Sequence, residues 1–174
     1  LGLPALRAAV ARRFTARGLP TTADQVLITS GGQAAIALVL AALVTPGDRV
    51  LVEHPTYPNA LEAVHARGAR CVPVPLDLES AGADAWDLEL VTAAVRDAAP
   101  RLAYLIPDHQ NPTGALLDAA GRERLVALAR RTGTPLLIDE TLAELTLGGP
   151  GEAPVAAHGA PDSALVITVG SAAK

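Results

Sequence analysis

The chain has 174 residues, of which 50% are hydrophobic and 18% charged, with a formal net charge of −4. That length and apolar content suit one domain with a real core and exclude a disordered chain. The acidic balance excludes a nucleic-acid footprint in this segment, the lone Cys71 excludes a disulfide framework, and no apolar run is long enough to span a bilayer.

Residues 3–17 read as an amphipathic helix, with Leu6, Val10 and Phe14 four apart and Arg7, Arg12 and Arg13 outside. Gly18 and Pro20 close it. Residues 26–29 form a short apolar run, a first strand, broken by Ser30-Gly31-Gly32. Residues 33–44 are apolar on nearly all sides, the pattern of a buried helix. After the turn at 45–48, residues 50–53 read as a second strand ending at His54-Pro55-Thr56-Tyr57-Pro58. A helix over 60–67 closes at Gly68. Residues 70–75 are a third strand, and Pro73 and Pro75 place it near a sheet edge. Residues 78–84 are irregular, and Asp87 is an N-cap for a helix over 88–98.

The fourth strand is the apolar run 102–106. It leads into Pro107-Asp108-His109-Gln110-Asn111-Pro112-Thr113-Gly114, then into a helix over 119–132 punctuated by Gly133 and Pro135. Proline disfavours the helical region for the residue before it, so Asn111 is expected extended at the sheet edge. Residues 136–138 are a fully apolar fifth strand ending at Asp139-Glu140. Residues 148–161 are a loop with a helical turn, and 165–169 form the last strand, ending at Gly170-Ser171-Ala172-Ala173-Lys174. Strands alternate with helices and most are continuous apolar runs. That is the pattern of an α/β fold, a parallel sheet covered on both faces.

Aromatic residues are 2%, so the core is aliphatic and alanine-rich. Arg122, Arg124, Arg130 and Arg131 read as a solvated helix face. Cys71 reads as a small buried residue rather than a nucleophile, compatible with a reducing cytosol, and no secretory signal is visible. A cytoplasmic location is therefore expected. The chain does not begin with methionine and stops on Lys174, so it reads as a piece of a longer protein.

Right-handed βαβ units bring the carboxyl ends of a parallel sheet to one edge. Successive strands deliver to that edge Gly31-Gly32-Gln33, Tyr57, Asn111, Asp139, then Ser171 and Lys174. Each has a plainer explanation: a turn for the glycine pair, a core cap for Tyr57, a helix cap for Asp139, a surface position for Lys174. Together they match pyridoxal phosphate, which carries a phosphate, a flat ring, a phenolic oxygen, a ring nitrogen and an aldehyde. The Gly31, Gly32 and Gln33 amides and the Ser171 hydroxyl would hold the phosphate at a helix start. Tyr57 would stack on the ring, Asn111 would donate to the phenolic oxygen, and Asp139 would pair with the ring nitrogen. Lys174 would form the Schiff base and move protons at the substrate α-carbon. Lys174 and Asp139 are the catalytic candidates, and no metal is assigned.

On these residues the chain resembles the fold type I pyridoxal-phosphate-dependent enzymes of the class I/II aminotransferase group. The resemblance is carried, in the family's order, by Thr29-Ser30-Gly31-Gly32-Gln33, Pro55-Thr56-Tyr57, Asn111-Pro112-Thr113-Gly114, Asp139-Glu140 and Ser171-Ala172-Ala173-Lys174. A finer resemblance is to the aminotransferase-like half of MocR-type (GntR-family) transcription regulators. Its carriers are His109-Gln110, Ile106-Pro107-Asp108, Asp139-Glu140-Thr141 and Thr168-Val169-Gly170-Ser171.

The resemblance implies a three-layer sandwich with a mostly parallel sheet, residues 1–174 being an incomplete large domain. A small C-terminal domain and any N-terminal winged-helix domain lie outside it. An antiparallel strand of the family, also outside, sits between its first and sixth strands, so residues 26–29 are expected to lack a partner on at least one side and the chain alone to be poorly stable. The resemblance also implies a homodimer for the full-length protein. The family usually has Tyr three residues after the aspartate, where Leu142 stands here.

Three functions remain open. One is an enzyme moving an amino group between an amino acid and a 2-oxo acid. Another is a sensor that binds the same cofactor and gates DNA binding by a fused domain. The third is a degenerate structural domain.

Overall fold

A computed structural model describes residues 2–80, 82–147, 149, 151–159 and 165–172. Lys174 lies outside the described residues. Five strands form one sheet: β1 (Arg49–His54), β2 (Arg70–Pro75), β3 (Leu102–Leu105), β4 (Leu136–Asp139) and β5 (Val166–Val169). Their order is β2-β1-β3-β4-β5, and every pair is parallel. All carboxyl ends therefore share one edge. The register there sets Val52 beside Tyr104 and Asp139 beside Val169.

Alternation along the strands separates two apolar layers. Val50, Val52, Leu102, Tyr104 and Leu137 face α2 (Gly32–Leu43) and α3 (Pro58–Ala66), where Ile36, Leu40, Ala60 and Val64 complete the layer. Leu51, Ala103, Leu105, Leu136 and Ile138 face α4 (Leu88–Ala98) and α5 (Ala119–Thr132), with Val91, Val95, Leu125 and Leu128. This is the expected three-layer α/β sandwich. Asp87 caps α4 through Glu89 and Leu90 N–H, and Asp118 caps α5 through Gly121 N–H at 2.8 Å. The proline-bearing β2 is an edge strand, as its sequence predicts.

Several expectations change. Residues 26–29 form no strand: among the described residues nothing pairs with them, and an extended run without a ladder partner stays single. The helix α1 (Pro4–Ala16) lies outside the sandwich, so its Leu6-Val10-Phe14 stripe meets no core. Leu6 is 46% exposed, and only Ala11 of the helix is buried. Polar contacts hold α1 instead: Arg7 Nε donates to Ala23 O and Val26 O, and Arg13 pairs with Glu144. The outer face of α2, including Leu38, is exposed rather than buried on all sides.

Arg122 overturns the solvated-face reading. It is fully buried, because α5 turns that side of its first turn into the sandwich, and it pairs with Asp108. Arg124, Arg130 and Arg131 stay exposed as expected. Cys71 is half-buried, not buried, because β2 is an edge strand. Its Sγ lies 3.8 Å from His65 Nε2, and burial pushes the thiol pKa up.

Candidate active site

At the carboxyl edge, the first loop delivers the start of α2. Gly31 has φ +105°, a region that L side chains rarely adopt. A Cβ on Gly32 would lie 3.2 Å from Thr141 Cγ2 and 3.7 Å from Val169. The glycine pair thus lets the helix start sit against the ends of β4 and β5. The first intrahelical bond runs from Ala35 N–H to Gly31 O, leaving the N–H groups of Gly32, Gln33 and Ala34 directed out of the helix start. Those groups and the positive helix end suit an anion. The Gln33 side chain turns elsewhere, donating to Asn59 O at 3.0 Å. Asn59 Nδ2 in turn donates to the Tyr57 hydroxyl at 2.9 Å. Tyr57 is the residue before α3, half-buried against the α2/α3 layer. So it caps the core, as its plainer reading has it, while its ring borders the edge.

Asn111 lies in a turn closed by Gly114 N–H on Gln110 O at 2.6 Å. Its amide meets no hydrogen-bond partner among the described residues. Asp139 ends β4, 5% exposed. Its Oδ1 accepts from Thr141 N–H at 3.0 Å and its Oδ2 from the Tyr104 hydroxyl at 2.8 Å. Ser171 lies just past β5 at the same edge, half-buried.

Sequence reasoning missed the residues behind this edge. Tyr104, inside an apolar strand, is the donor that makes the buried Asp139 tolerable. Its own ionisation is pushed far up by burial and by the Asp139 charge. The signal was available: a carboxylate at the end of an apolar strand needs a donor on a neighbouring strand. Glu53 is 2% exposed, on the α4 side of β1. It accepts from Trp86 Nε1 (2.9 Å), Ile106 N–H (3.1 Å) and Gln110 Nε2 (3.0 Å). His109, at φ +47°, bonds Thr146 Oγ1 at 2.9 Å and so ties its loop to the segment after β4.

Burial pushes the Glu53 carboxyl from 4.5 up to about 7, against the pull of its three donors. Burial does the same to Glu140, also to about 7, opposed by Val155 N–H and the Arg17 and Arg122 charges. With raised folded-state values, the native state holds more protons than the unfolded chain between about pH 4.5 and 7. Stability is therefore lost as pH rises through that window and stays lower above it. Urea midpoints at about pH 5 should exceed those at about pH 8, and Glu140→Gln should shrink the difference. An unchanged difference in that variant would mean that Glu140 ionises normally.

A groove of about 740 Å³ opens at the opposite edge, beside Arg49, Arg101 and Thr134. Helix C-termini converge there, and Arg49 and Arg101 donate to Ala98 O and Leu43 O. Those arginines are helix caps, and carbonyl ends disfavour an anion. The carboxyl edge is the one that combines free helix amides, an unpaired amide and a buried carboxylate.

A doubly covered parallel sheet with this edge is the large-domain architecture of pyridoxal-phosphate proteins. Residues 1–174 match the family described as aminotransferase class I and II, and the chain belongs to that family. It is 35% identical over 137 residues to the 2-aminoadipate transaminase of Thermus thermophilus, covering 79% of this chain and 33% of that protein. It is 33% identical over 175 residues to the probable rhizopine catabolism regulatory protein MocR of Rhizobium meliloti, covering 99% and 33%. The chain thus spans about a third of the length of these relatives.

Among solved structures it superposes on the alpha-aminoadipate aminotransferase LysN of Thermus thermophilus, complexed with N-(5'-phosphopyridoxyl)-L-leucine. The TM-score is 0.85 and the identity 33%, over 99% of this chain and 42% of that one. An aspartate aminotransferase from Rhodobacter sphaeroides gives a TM-score of 0.89 at 29% identity, over 99% and 45%. Family and neighbour together imply pyridoxal phosphate as the cofactor. The residues present fit it: a glycine cradle with helix-start amides, an Asn111 amide without a partner among the described residues, and a buried acceptor, Asp139.

Proposed function

We propose that this chain is the cofactor-binding large domain of an aminotransferase-type protein, which moves an amino group between an amino acid and a 2-oxo acid. The observation that carries this reading is Asp139, a carboxylate buried at the carboxyl edge and held there by Tyr104. Bound pyridoxal phosphate supplies a ring that withdraws electrons from the substrate carbon.

The chain's own residues do the rest. Gly31, Gly32 and Gln33 offer backbone N–H groups to the phosphate, and Ser171 offers a hydroxyl. Tyr57 covers one ring face, with its hydroxyl fixed by Asn59. Asn111 donates to the phenolic oxygen. Asp139 holds a proton at the ring nitrogen, and Tyr104 and Thr141 keep its oxygens in place. Lys174, assigned on sequence alone, would anchor the cofactor and would carry a proton to and from the substrate α-carbon. A homodimer completes the site in this reading. Among the described residues no helix is long and apolar enough to cross a membrane.

A second reading, a cofactor-sensing effector domain of a transcription regulator, is supported by the MocR relative and by Leu142. With Leu142 where the family usually has Tyr, Asn111 would serve the phenolic oxygen without that second hydroxyl. Contact with DNA then belongs to a fused domain.

The protein containing this chain should show a visible cofactor band that borohydride fixes to the Lys174 peptide, and Lys174→Ala should lose the fixation completely. Identical fixation in that variant sinks the lysine assignment. Turnover of amino acids by the same preparation favours the enzyme; cofactor-dependent DNA retention without turnover favours the sensor.

A further inference from the structure

The two loops that carry Tyr57 and Asn111 belong to different strands, β1 and β3. They are adjacent in the sheet but separated by 54 residues of chain, so something must fix one against the other. We propose that Glu53 and Gln110 are positioning residues whose shared hydrogen bond sets the Tyr57 loop against the Asn111 loop and so shapes the ring site of the cofactor. This rests on the cofactor reading above.

The geometry is specific. Gln110 is 1% exposed, and all four of its side-chain hydrogen-bonding positions are used. Nε2 donates to Glu53 Oε2 at 3.0 Å and to Pro55 O at 2.9 Å, two residues before Tyr57. Oε1 accepts from Thr113 N–H at 3.1 Å and Thr113 Oγ1 at 2.8 Å. Its backbone closes the turn around Asn111, through Gly114 N–H on Gln110 O and Gln110 N–H on Ala115 O. Gln110 therefore holds the Pro55 side with one end and the Asn111 turn with the other.

Glu53 makes the brace rigid. It shares a face with Leu51, in the apolar α4/α5 layer beside Trp86, where an aliphatic side chain would pack at lower cost. Instead the carboxylate gathers three donors from three segments: Trp86, the Ile106 backbone just past β3, and Gln110. A carboxylate accepts on two oxygens at once, where an amide has one accepting oxygen and a hydrocarbon none. Chain-distant loops thus share one acceptor. The titratable groups whose charges reach it are Asp139 from β4 and Tyr104 from β3, on the other face of the sheet.

The test uses the protein containing this chain, with pyridoxal phosphate as probe. Cofactor affinity is read by absorbance titration, and ring orientation by circular dichroism of the bound cofactor band. Gln110→Leu and Glu53→Gln should each weaken binding on the order of tenfold and alter the dichroism. Because both act through one bond, the double variant should lose about tenfold, not about a hundredfold.

Gln110→Glu supplies a rescue arm. At about pH 8.5 two carboxylates confront each other and affinity should fall about tenfold relative to wild type. At about pH 6 a shared proton restores the bond, and the ratio should return to near one. A role confined to stability would lower the melting temperature of the cofactor-free variants but leave affinity, dichroism and that pH ratio unmoved. That result overturns the proposal, as does an additive double variant. If Glu53→Gln fails to fold, the two Gln110 variants still decide. If the wild type takes up no pyridoxal phosphate, the cofactor reading itself fails; a wild type that binds beside unchanged variants defeats only the brace.

Discussion

Arg122→Ala should lower the stability of the protein by about 3–5 kcal/mol, read as a drop in the urea midpoint. The reason is what the guanidinium leaves behind. Arg122 is fully buried and meets Asp108 with two nitrogens, Nη2 on Oδ1 at 2.8 Å and Nη1 on Oδ2 at 3.4 Å. It also donates to the carbonyls of Leu117 (2.8 Å), Ala153 (3.1 Å) and Pro107 (3.5 Å). Truncation strands a carboxylate that is 1% exposed, and takes the donor from the carbonyls of Leu117 and Ala153 besides, while Pro107 O keeps Leu117 N–H. Removing both charges, with Arg122→Met and Asp108→Leu together, should recover part of the loss, because the buried carboxylate goes too. Recovery should stay incomplete, since the carbonyls of Leu117 and Ala153 remain without a donor. A loss below about 1 kcal/mol in the single variant would place this pair in water, contrary to its burial.

Asp139→Ala carries the largest functional effect. Cofactor affinity should fall by one to two orders of magnitude, the worth of a charge-assisted hydrogen bond, and proton removal from the substrate should nearly vanish. Asp139→Asn separates charge from shape: it keeps an oxygen for the Tyr104 hydroxyl, yet turnover should collapse almost as far. Tyr104→Phe removes only the donor at 2.8 Å and should weaken binding about tenfold while leaving measurable turnover. Stopped-flow titration of cofactor and a transamination assay read these separately. Intact turnover in Asp139→Ala would remove Asp139 from the ring nitrogen altogether.

The features legible in the sequence were local or periodic. Asp87 caps its helix by bonds to amides two and three residues on, so the start of α4 could be read from neighbours alone. Pro73 and Pro75 placed β2 at an edge because a missing N–H is a backbone fact. The parallel sheet, with its carboxyl ends on one edge, was legible because continuous apolar runs alternate with helical patterns along the chain. Illegible were contacts whose partners lie far along the chain. Nothing beside Arg122 announces Asp108, and nothing beside Glu53 announces Gln110, 57 residues on. The same limit explains the two misread apolar runs. Residues 26–29 and the stripe on α1 have correct local patterns, but a strand needs a neighbour and a stripe needs a core, and neither is a local property. His109-Gln110 stood out only as a family signature. Its physical content, a pair reaching the segment after β4 and the end of β1, needed three dimensions.

The strand order has a consequence for how the chain is made. After β1 and β2 pair, β3 joins the other side of β1, and β4 and β5 then add outward in the order they are synthesised. Each new strand leaving the ribosome finds a ready template, and the sheet grows in one direction only. The rear of that growing sheet is closed to further strands by the prolines of β2. The advancing front is always the newest strand, and at β5 it is Val166-Ile167-Thr168-Val169, a β-branched run with no proline to blunt it. A chain whose β5 has just cleared the ribosome presents one sticky end, so chaperone occupancy should peak when residues 166–169 emerge rather than when they are translated.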